Sequence, residues 1–239
     1  YSGFIPQNMS ADFYFFCESD EKCCVMPICA VSGAAEEHKY SETGYQYGLE
    51  DYRAGQIPSG SKQTQVMGMG VFYGDKLVGE FGDIETEMYN ILTGQYTNSY
   101  VVYRYSKSPD NPITVIQKQK HAPKISVDMS GNVPKIKAEV FIEGEFASST
   151  PQKSVEDDLE DFSKEAAGEL KAQLLDFLKQ TQEFGTDIVG FGGYAKRNFK
   201  DINEFSACKW LERYKDAEFE VEVDFVVLRT GLVVRSDKK

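Results

Sequence analysis

The stretch FGTDIVGFGGYAKRNF, Phe184 to Phe199, separates two helical patterns and decides how the C-terminal half of the chain folds. Before it, apolar residues recur at steps of three and four, which predicts a long amphipathic helix over residues 154–183 that ends at Gly185. After it, a helical pattern carries Trp210, and the chain then alternates apolar and acidic residues over 219–228. Such alternation predicts a strand with one buried face.

Strand patterns also precede the long helix. Residues 135–146 alternate as cleanly as 219–228, and residues 66–81 predict a β-hairpin around Gly74-Asp75. Asp83 is expected to cap a helix that ends at Gly94, and further strands are expected over 100–105, 113–118 and 125–129. The sequence therefore predicts an α+β fold with antiparallel or mixed sheets and helices packed on one face. Its C-terminal unit has the order β-β-α-α-β with one long helix.

The domain organisation follows from shifts in composition along the chain. Residues 65–118 form a predicted β-β-α-β-β middle unit, and residues 119–239 form the C-terminal α+β unit. Residues 1–64 are interpreted as the remnant of an N-terminal domain followed by a long loop or linker over 32–62. In that part, the apolar runs Asp12–Cys17 and Val25–Val31 are expected to be strands, with Pro27 at a sheet edge or bulge.

The charge balance limits the classes of function. The net charge is −12 over 239 residues. A nucleic-acid-binding surface needs a basic footprint, so this balance argues against nucleic-acid binding and against direct docking on anionic lipid. No apolar run approaches the roughly 18–20 residues that span a bilayer.

The cysteines and histidines do not form a recognisable metal motif. Cys17, Cys23, Cys24 and Cys29 lie close together in sequence, with a spacing that matches no standard zinc pattern, and no histidine falls among them. Free thiols, a disulfide such as Cys17 with Cys29, and a structural metal site all stay open. The two histidines, His38 and His121, are far apart, so no Ser-His-Asp or Cys-His arrangement can be assembled convincingly.

Two features near the glycines have both a functional and a structural interpretation. Gly190-Phe191-Gly192-Gly193 precedes a helical segment with Lys196 and Arg197, and such a loop can bind a phosphate. It lacks the spacing of the known phosphate-binding motifs, and a tight turn between helices explains the glycines equally well. Asp187 can be catalytic, but an Asp before a helical turn is more often an N-cap. The acidic residues 156–158, 160 and 161 are expected to form a solvated helix face.

Two long segments resemble the Ger(x)C family, the C subunits of bacterial spore nutrient germinant receptors. The first runs from MGVFYGDKLVGEF to IETEMYNILTGQY, residues 69–96. The second runs from EFGTDIVGFGGYAKRNF through Trp210 to FEVEVDFVVLRTGL, and together they span about residues 65–235. The resemblance implies that the matching residues are fold determinants. They are Gly185, Thr186, Asp187, Gly190, Gly192, Trp210 and Gly231.

The resemblance implies a non-enzymatic, extracytoplasmic receptor subunit without a cofactor. It would be needed for nutrient-triggered germination and would contact the membrane-embedded A and B subunits of the receptor. It would be anchored to the outer face of the spore inner membrane by a lipid on a Cys upstream of Tyr1. The alternative is an extracytoplasmic lipoprotein that binds a small ligand in a groove near Phe191 and Tyr194. A third interpretation is an enzyme that acts through Asp187 and the acidic helix.

Overall fold

The computed structural model describes residues 3–8, 10–32, 52–56, 63–107, 112–147 and 159–228. These residues form two β-sheets, two longer helices and several short helices around one continuous hydrophobic core. In chain order the elements are α1 (Ser10–Cys17), β1 (Cys24–Val31), β2 (Thr64–Tyr73), β3 (Lys76–Phe81), α2 (Asp83–Thr93), β4 (Asn98–Tyr103), β5 (Ile113–Gln119), β6 (Lys124–Asp128), β7 (Lys135–Phe146), α3 (Leu159–Phe184), α4 (Gly192–Ala195), a 3-10 turn (Lys196–Asn198), α5 (Ile202–Cys208), α6 (Trp210–Tyr214) and β8 (Glu218–Leu228).

The first sheet has the order β1-β2-β3 and is antiparallel. The predicted hairpin is confirmed, and Gly74 makes its turn with a φ of 61°, which glycine adopts without steric cost. Strand β1 lies at the edge of the sheet, and its pairing is irregular between Pro27 and Cys29. This confirms the expected position of Pro27, which has no N–H to donate to a neighbouring strand.

The second sheet contains β4 to β8. Strand β7 is central: β6 pairs with its first half, β5 pairs with its second half, and β8 pairs along nearly all of its opposite edge. The β7–β8 pair is parallel, whereas the other pairs are antiparallel. A parallel pair needs a crossover, and the long helix α3 with the short helices after it forms that crossover.

One face of the five-stranded sheet is buried, and the other is exposed to solvent. Helices α2 and α3 pack against the buried face, where Phe162 of α3 contacts the rings of Tyr103, Phe146 and Tyr105. Farther along α3, Phe177 and Phe184 pack on Phe81 of the first sheet, so the same helix joins both sheets. The solvated face carries a ladder of ion pairs, including Lys137–Glu222, Lys118–Glu145, Lys120–Glu143 and Lys135–Glu218.

These observations confirm the predicted α+β class with mixed sheets and helices on one face. The division into 1–64, 65–118 and 119–239 stays a prediction. Strands pair across both boundaries, since β1 pairs with β2 and β5 pairs with β7. The predicted helix start near 154 and the predicted loop over 32–62 lie largely outside the described residues.

Three local predictions need correction. Residues 12–17 form part of helix α1 and not a strand. Short apolar runs are ambiguous by pattern alone, and this one is apolar on all sides. Asp83 is the first residue of α2, and Gly82 is its N-cap, whose N–H donates to the Glu85 carboxylate at 3.2 Å. The helical pattern that carries Trp210 is divided into two helices, because Lys209 adopts a left-handed φ of 52° between them.

Candidate functional site

Asp187 lies fully buried beside the glycine-rich loop and accepts four hydrogen bonds. Its Oδ1 accepts from the backbone N–H groups of Gly190 at 2.8 Å and Phe191 at 3.1 Å. Its Oδ2 accepts from the N–H of Gly192 at 2.7 Å and from the indole Nε1–H of Trp210 at 2.8 Å. We call Asp187 with these four donors the Asp187 junction.

Burial raises the pKa of Asp187 from its ordinary value, and the four donors act in the opposite direction. Each carboxylate oxygen already receives two N–H groups, so a proton on either oxygen would face a donor and not an acceptor. The geometry therefore suits the ionised carboxylate, which the loop and the indole solvate in place of water.

The local sequence explains how Asp187 reaches this position. Gly185 ends α3 with a φ of 67°, and its N–H donates to the Gln182 carbonyl at 2.9 Å. The N–H of Thr186, which is also fully buried, donates to the Thr181 carbonyl at 2.9 Å. These two bonds satisfy two of the last four carbonyls of the helix and turn the chain back, so that Asp187 faces the next loop.

Two separate constraints require glycine in this loop. Gly190 has a φ of 95°, a left-handed conformation that strains other residues. Gly192 is needed for space, because a Cβ there would collide with the carbonyl oxygen of Glu21 and with the Trp210 ring. The N–H groups that a phosphate would need from 190–192 donate instead to Asp187, so this loop does not present them to a ligand.

Residues 21–23 close the Asp187 junction from the N-terminal side. The N–H of Cys23 donates to the Asp187 carbonyl at 2.7 Å, and Glu21 forms an ion pair with Lys196 at 3.3 Å. The Lys22 stem lies against Gly190, and its ammonium lies 4.9 Å from the centre of the Phe16 ring. Burial lowers the pKa of Lys22, and the Asp187 carboxylate opposes that effect.

The two residues proposed for a ligand groove have different surroundings. Phe191 is fully buried and stacks on Tyr214 with ring centres 6.2 Å apart, so its ring does not face an open groove. Tyr194 is half-buried, and the Arg197 guanidinium lies 4.8 Å from its ring centre. Ligand binding at this place stays a prediction.

The remaining candidate groups are the acidic face of the long helix, the cysteines and the histidines. Of the predicted acidic helix face, Glu160 and Asp161 are described, and they pair with Lys164 and Lys107. All five cysteines are free thiols, and burial raises the pKa of Cys23 and of Cys24 to about 12. Among the described residues no cluster of His, Cys, Asp and Glu has the arrangement of a metal site. Gly231 and His38 lie outside the described residues.

Next to the junction, a surface groove of about 350 Å³ separates α1 from α5. The sequence pattern does not predict it, because residues 12–17 read as a strand by pattern alone. The available signal was that the aromatic run from Phe13 to Phe16 is too apolar on all sides for a surface helix. The residues that line this α1–α5 groove are Phe15, Glu18, Ser19, Asp20, Glu21, Lys196, Ile202, Phe205 and Ser206.

The comparisons with known proteins agree with this architecture. A family model described as "Spore germination B3/GerAC like, C-terminal" matches residues 67–231. The crystal structure of the GerBC protein is similar in fold, with a TM-score of 0.58 and 17% sequence identity over 70% of this chain and 53% of that one. The chain thus spans about half the length of GerBC. No curated protein sequence matches.

Proposed function

Because the chain belongs to the family of spore germination B3/GerAC-like C-terminal regions, we propose that it acts as a non-enzymatic, extracytoplasmic subunit of a spore germinant receptor. In this proposal it is required for germination triggered by nutrients, and it acts through contacts with the membrane-embedded A and B subunits. The family and the fold support the role of a germinant-receptor C subunit.

The observation that carries the proposal is the family match over residues 67–231. This range runs from β2 through β8 and contains most of the described core. It also contains the Asp187 junction, whose carboxylate is fully engaged by internal donors. A buried carboxylate engaged in this way stabilises a loop, which supports a structural role over a catalytic one.

We assign the same structural role to the residues that match the family pattern. Gly185 and Gly190 permit left-handed turns, Gly192 permits close packing, and Trp210 donates its indole N–H to Asp187. Thr186 is fully buried in the turn that follows α3. Gly231 is assigned with them on the sequence resemblance alone.

Association with the spore membrane follows from the family. We propose that a lipid on a Cys upstream of Tyr1 in the longer protein holds the chain at the outer face of the inner membrane. Among the described residues, no helix has both the length and the apolar character that a membrane crossing requires. Metabolic labelling of the full-length protein with a radioactive fatty acid tests the anchor, and absence of label in membrane-bound protein would contradict it.

Deletion of the gene in the native spore former, followed by complementation, tests the receptor role. The expected result is loss of nutrient-triggered germination, seen as a persistent optical density of the spore suspension, and recovery on complementation. Germination by a stimulus that bypasses nutrient receptors serves as the control for spore viability. Normal germination of the deletion strain on every nutrient, after the other receptor operons have been removed, would refute the proposal.

A further inference from the structure

The α1–α5 groove has an apolar floor and an acidic rim. Phe205 lies at the bottom, where it is 2% exposed and packs on Phe199 with ring centres 5.6 Å apart. Phe15 and Ile202 line the sides, and they remain 70% and 59% exposed. A groove of about 350 Å³ is large enough for one or two side chains of a partner.

Helix α1 exposes apolar side chains beside the groove. None of its residues is fully buried, although most are aromatic or otherwise apolar. Tyr14, beside Phe15, is 77% exposed. Exposed aromatic side chains are enriched at protein interaction sites.

The charges around the groove are unbalanced. Glu18, Asp20 and Glu21 line it, against the single ammonium of Lys196. Glu21 is paired with Lys196 at 3.3 Å, and Asp20 accepts a hydrogen bond from Ser206 at 3.0 Å. Within the described part of the chain, the exposed carboxylate of Glu18 forms no ion pair or hydrogen bond, so it is available to a cation from outside.

One wall of the groove is held in place by the Asp187 junction, and the other begins at a capped helix. Glu21 precedes Lys22 and Cys23, and the Cys23 N–H donates to the Asp187 carbonyl. On the other wall, Asp201 caps α5 by accepting from the Glu204 N–H at 2.9 Å. A preformed groove loses little entropy on binding, which favours its use as a docking site.

We propose that the α1–α5 groove binds a segment of a partner protein that places an apolar side chain between Phe15 and Ile202 and a Lys or Arg beside Glu18. This inference rests on the proposed function, since it assigns a surface to the contact between subunits. A protein segment is long enough to cover the exposed Phe15 and Ile202 side chains and to reach the Glu18 carboxylate at the same time. An anionic lipid surface would be repelled by the three carboxylates.

Site-specific photo-crosslinking in spores that contain the full-length protein tests this inference. A photoreactive phenylalanine analogue replaces Phe15 in one strain and Tyr100 in a control strain. Tyr100 is a matched position, because it is 65% exposed and lies on β4 in the other sheet. Mass spectrometry of the cross-linked peptide identifies the partner and the residues around the attachment point.

We expect a cross-link to another receptor subunit from position 15 and none from position 100. The attached segment should carry an apolar residue with a Lys or Arg within about one helical turn. Glu18→Lys should lower the cross-link yield about tenfold, because it places like charges together. Glu183→Lys, a charge reversal at an exposed position at the end of α3, should leave the yield unchanged. A Lys→Glu or Arg→Glu change in the partner should restore the yield with Glu18→Lys.

The inference is overturned by a cross-link from position 15 to lipid, to a second copy of this chain or to an acidic segment. It is also overturned if position 15 gives no cross-link while the protein is present at normal abundance, or if Glu18→Lys leaves the yield unchanged. These outcomes are separate from the deletion test. A deletion strain that fails to germinate, combined with no cross-link from position 15, retains the receptor role and removes only the groove.

Discussion

Replacement of Asp187 by Asn is the most informative perturbation of the fold, because it changes one atom and hardly changes the volume. Asn presents one carbonyl oxygen and one NH2 group where Asp187 presents two acceptors. Two of the four donors around the side chain therefore meet another donor. If the amide oxygen takes the place of Oδ1, these are the N–H groups of Gly192 and Trp210, which now donate at 2.7 and 2.8 Å.

The expected loss of stability follows from the count of unsatisfied donors. A buried donor without an acceptor costs about 1–3 kcal/mol, and Asn leaves two of them. Removal of a buried charge returns part of this cost, since Asp187 is fully buried. We expect Asp187→Asn to lower the free energy of unfolding by about 2–4 kcal/mol.

Urea unfolding followed by tryptophan fluorescence measures this loss directly. Trp210 is the single tryptophan of the chain, it is 1% exposed, and its indole N–H is one of the four donors. Asp201→Asn serves as the matched control, because Asp201 caps α5 at an exposed position where Asn is an equally good cap. The control should differ from wild type by no more than about 0.5 kcal/mol.

A double-mutant cycle with Trp210→Phe isolates the contact between the two side chains. With Phe at 210, Asp187→Asn leaves one donor unsatisfied and not two. The cost of Asp187→Asn should then fall by about 1–2 kcal/mol, with circular dichroism replacing fluorescence as the probe. If Asp187→Asn destabilises no more than Asp201→Asn does, or if its cost is the same in both backgrounds, the reasoning about the Asp187 junction is wrong.

Three further predictions concern packing and pH. Gly192→Ala should lower the free energy of unfolding by about 1–3 kcal/mol, because its Cβ has no room. Gly193→Ala should be neutral or stabilising, because nothing lies within 4 Å of the added Cβ, and equal urea midpoints for the two variants would contradict this prediction. Phe81→Ala should lower the free energy of unfolding by about 3–5 kcal/mol, since Phe81 is 2% exposed. Phe15→Ala should lower it by less than about 1 kcal/mol, since Phe15 is 70% exposed, and similar losses for the two variants would contradict the assigned burial. Burial and a neighbouring carboxylate raise the pKa of Glu169 to about 7, above its unfolded value, so its contribution to stability is present at low pH and lost as pH rises through about 7. The Tm of wild type should therefore fall more steeply than that of Glu169→Gln between about pH 4.5, the ordinary pKa of a Glu side chain, and about pH 7, and parallel Tm profiles would contradict the raised pKa.

Several elements were predictable because they depend on local patterns. The alternation in 135–146 and 219–228 fixes which side of each strand is buried, and the steps of three and four fix the buried stripe of α3. Gly94 and Gly185 mark helix ends because glycine adopts the left-handed conformation most readily. In each case the information lies in residues that are only a few positions apart.

Other elements were not predictable because the same pattern suits more than one structure. The run over 12–17 lies in a helix because α1 packs on the first sheet, where Phe13 contacts the Phe72 ring with centres 5.1 Å apart. No periodicity within six residues contains that information. The α1–α5 groove could not be predicted either, because its two walls are far apart in sequence.

The sequence by itself determined the α+β class, most strands, the long helix and the family to which the chain belongs, since all of these are written in short-range periodicity or in a long ordered motif. The tertiary structure alone decided that β8 runs parallel to β7, that the carboxylate of Asp187 is the shared acceptor of the glycine-rich loop and Trp210, and that α1 and α5 enclose a groove. These features depend on contacts between residues far apart in the chain. Such contacts form when the whole core closes, and local preference does not specify them.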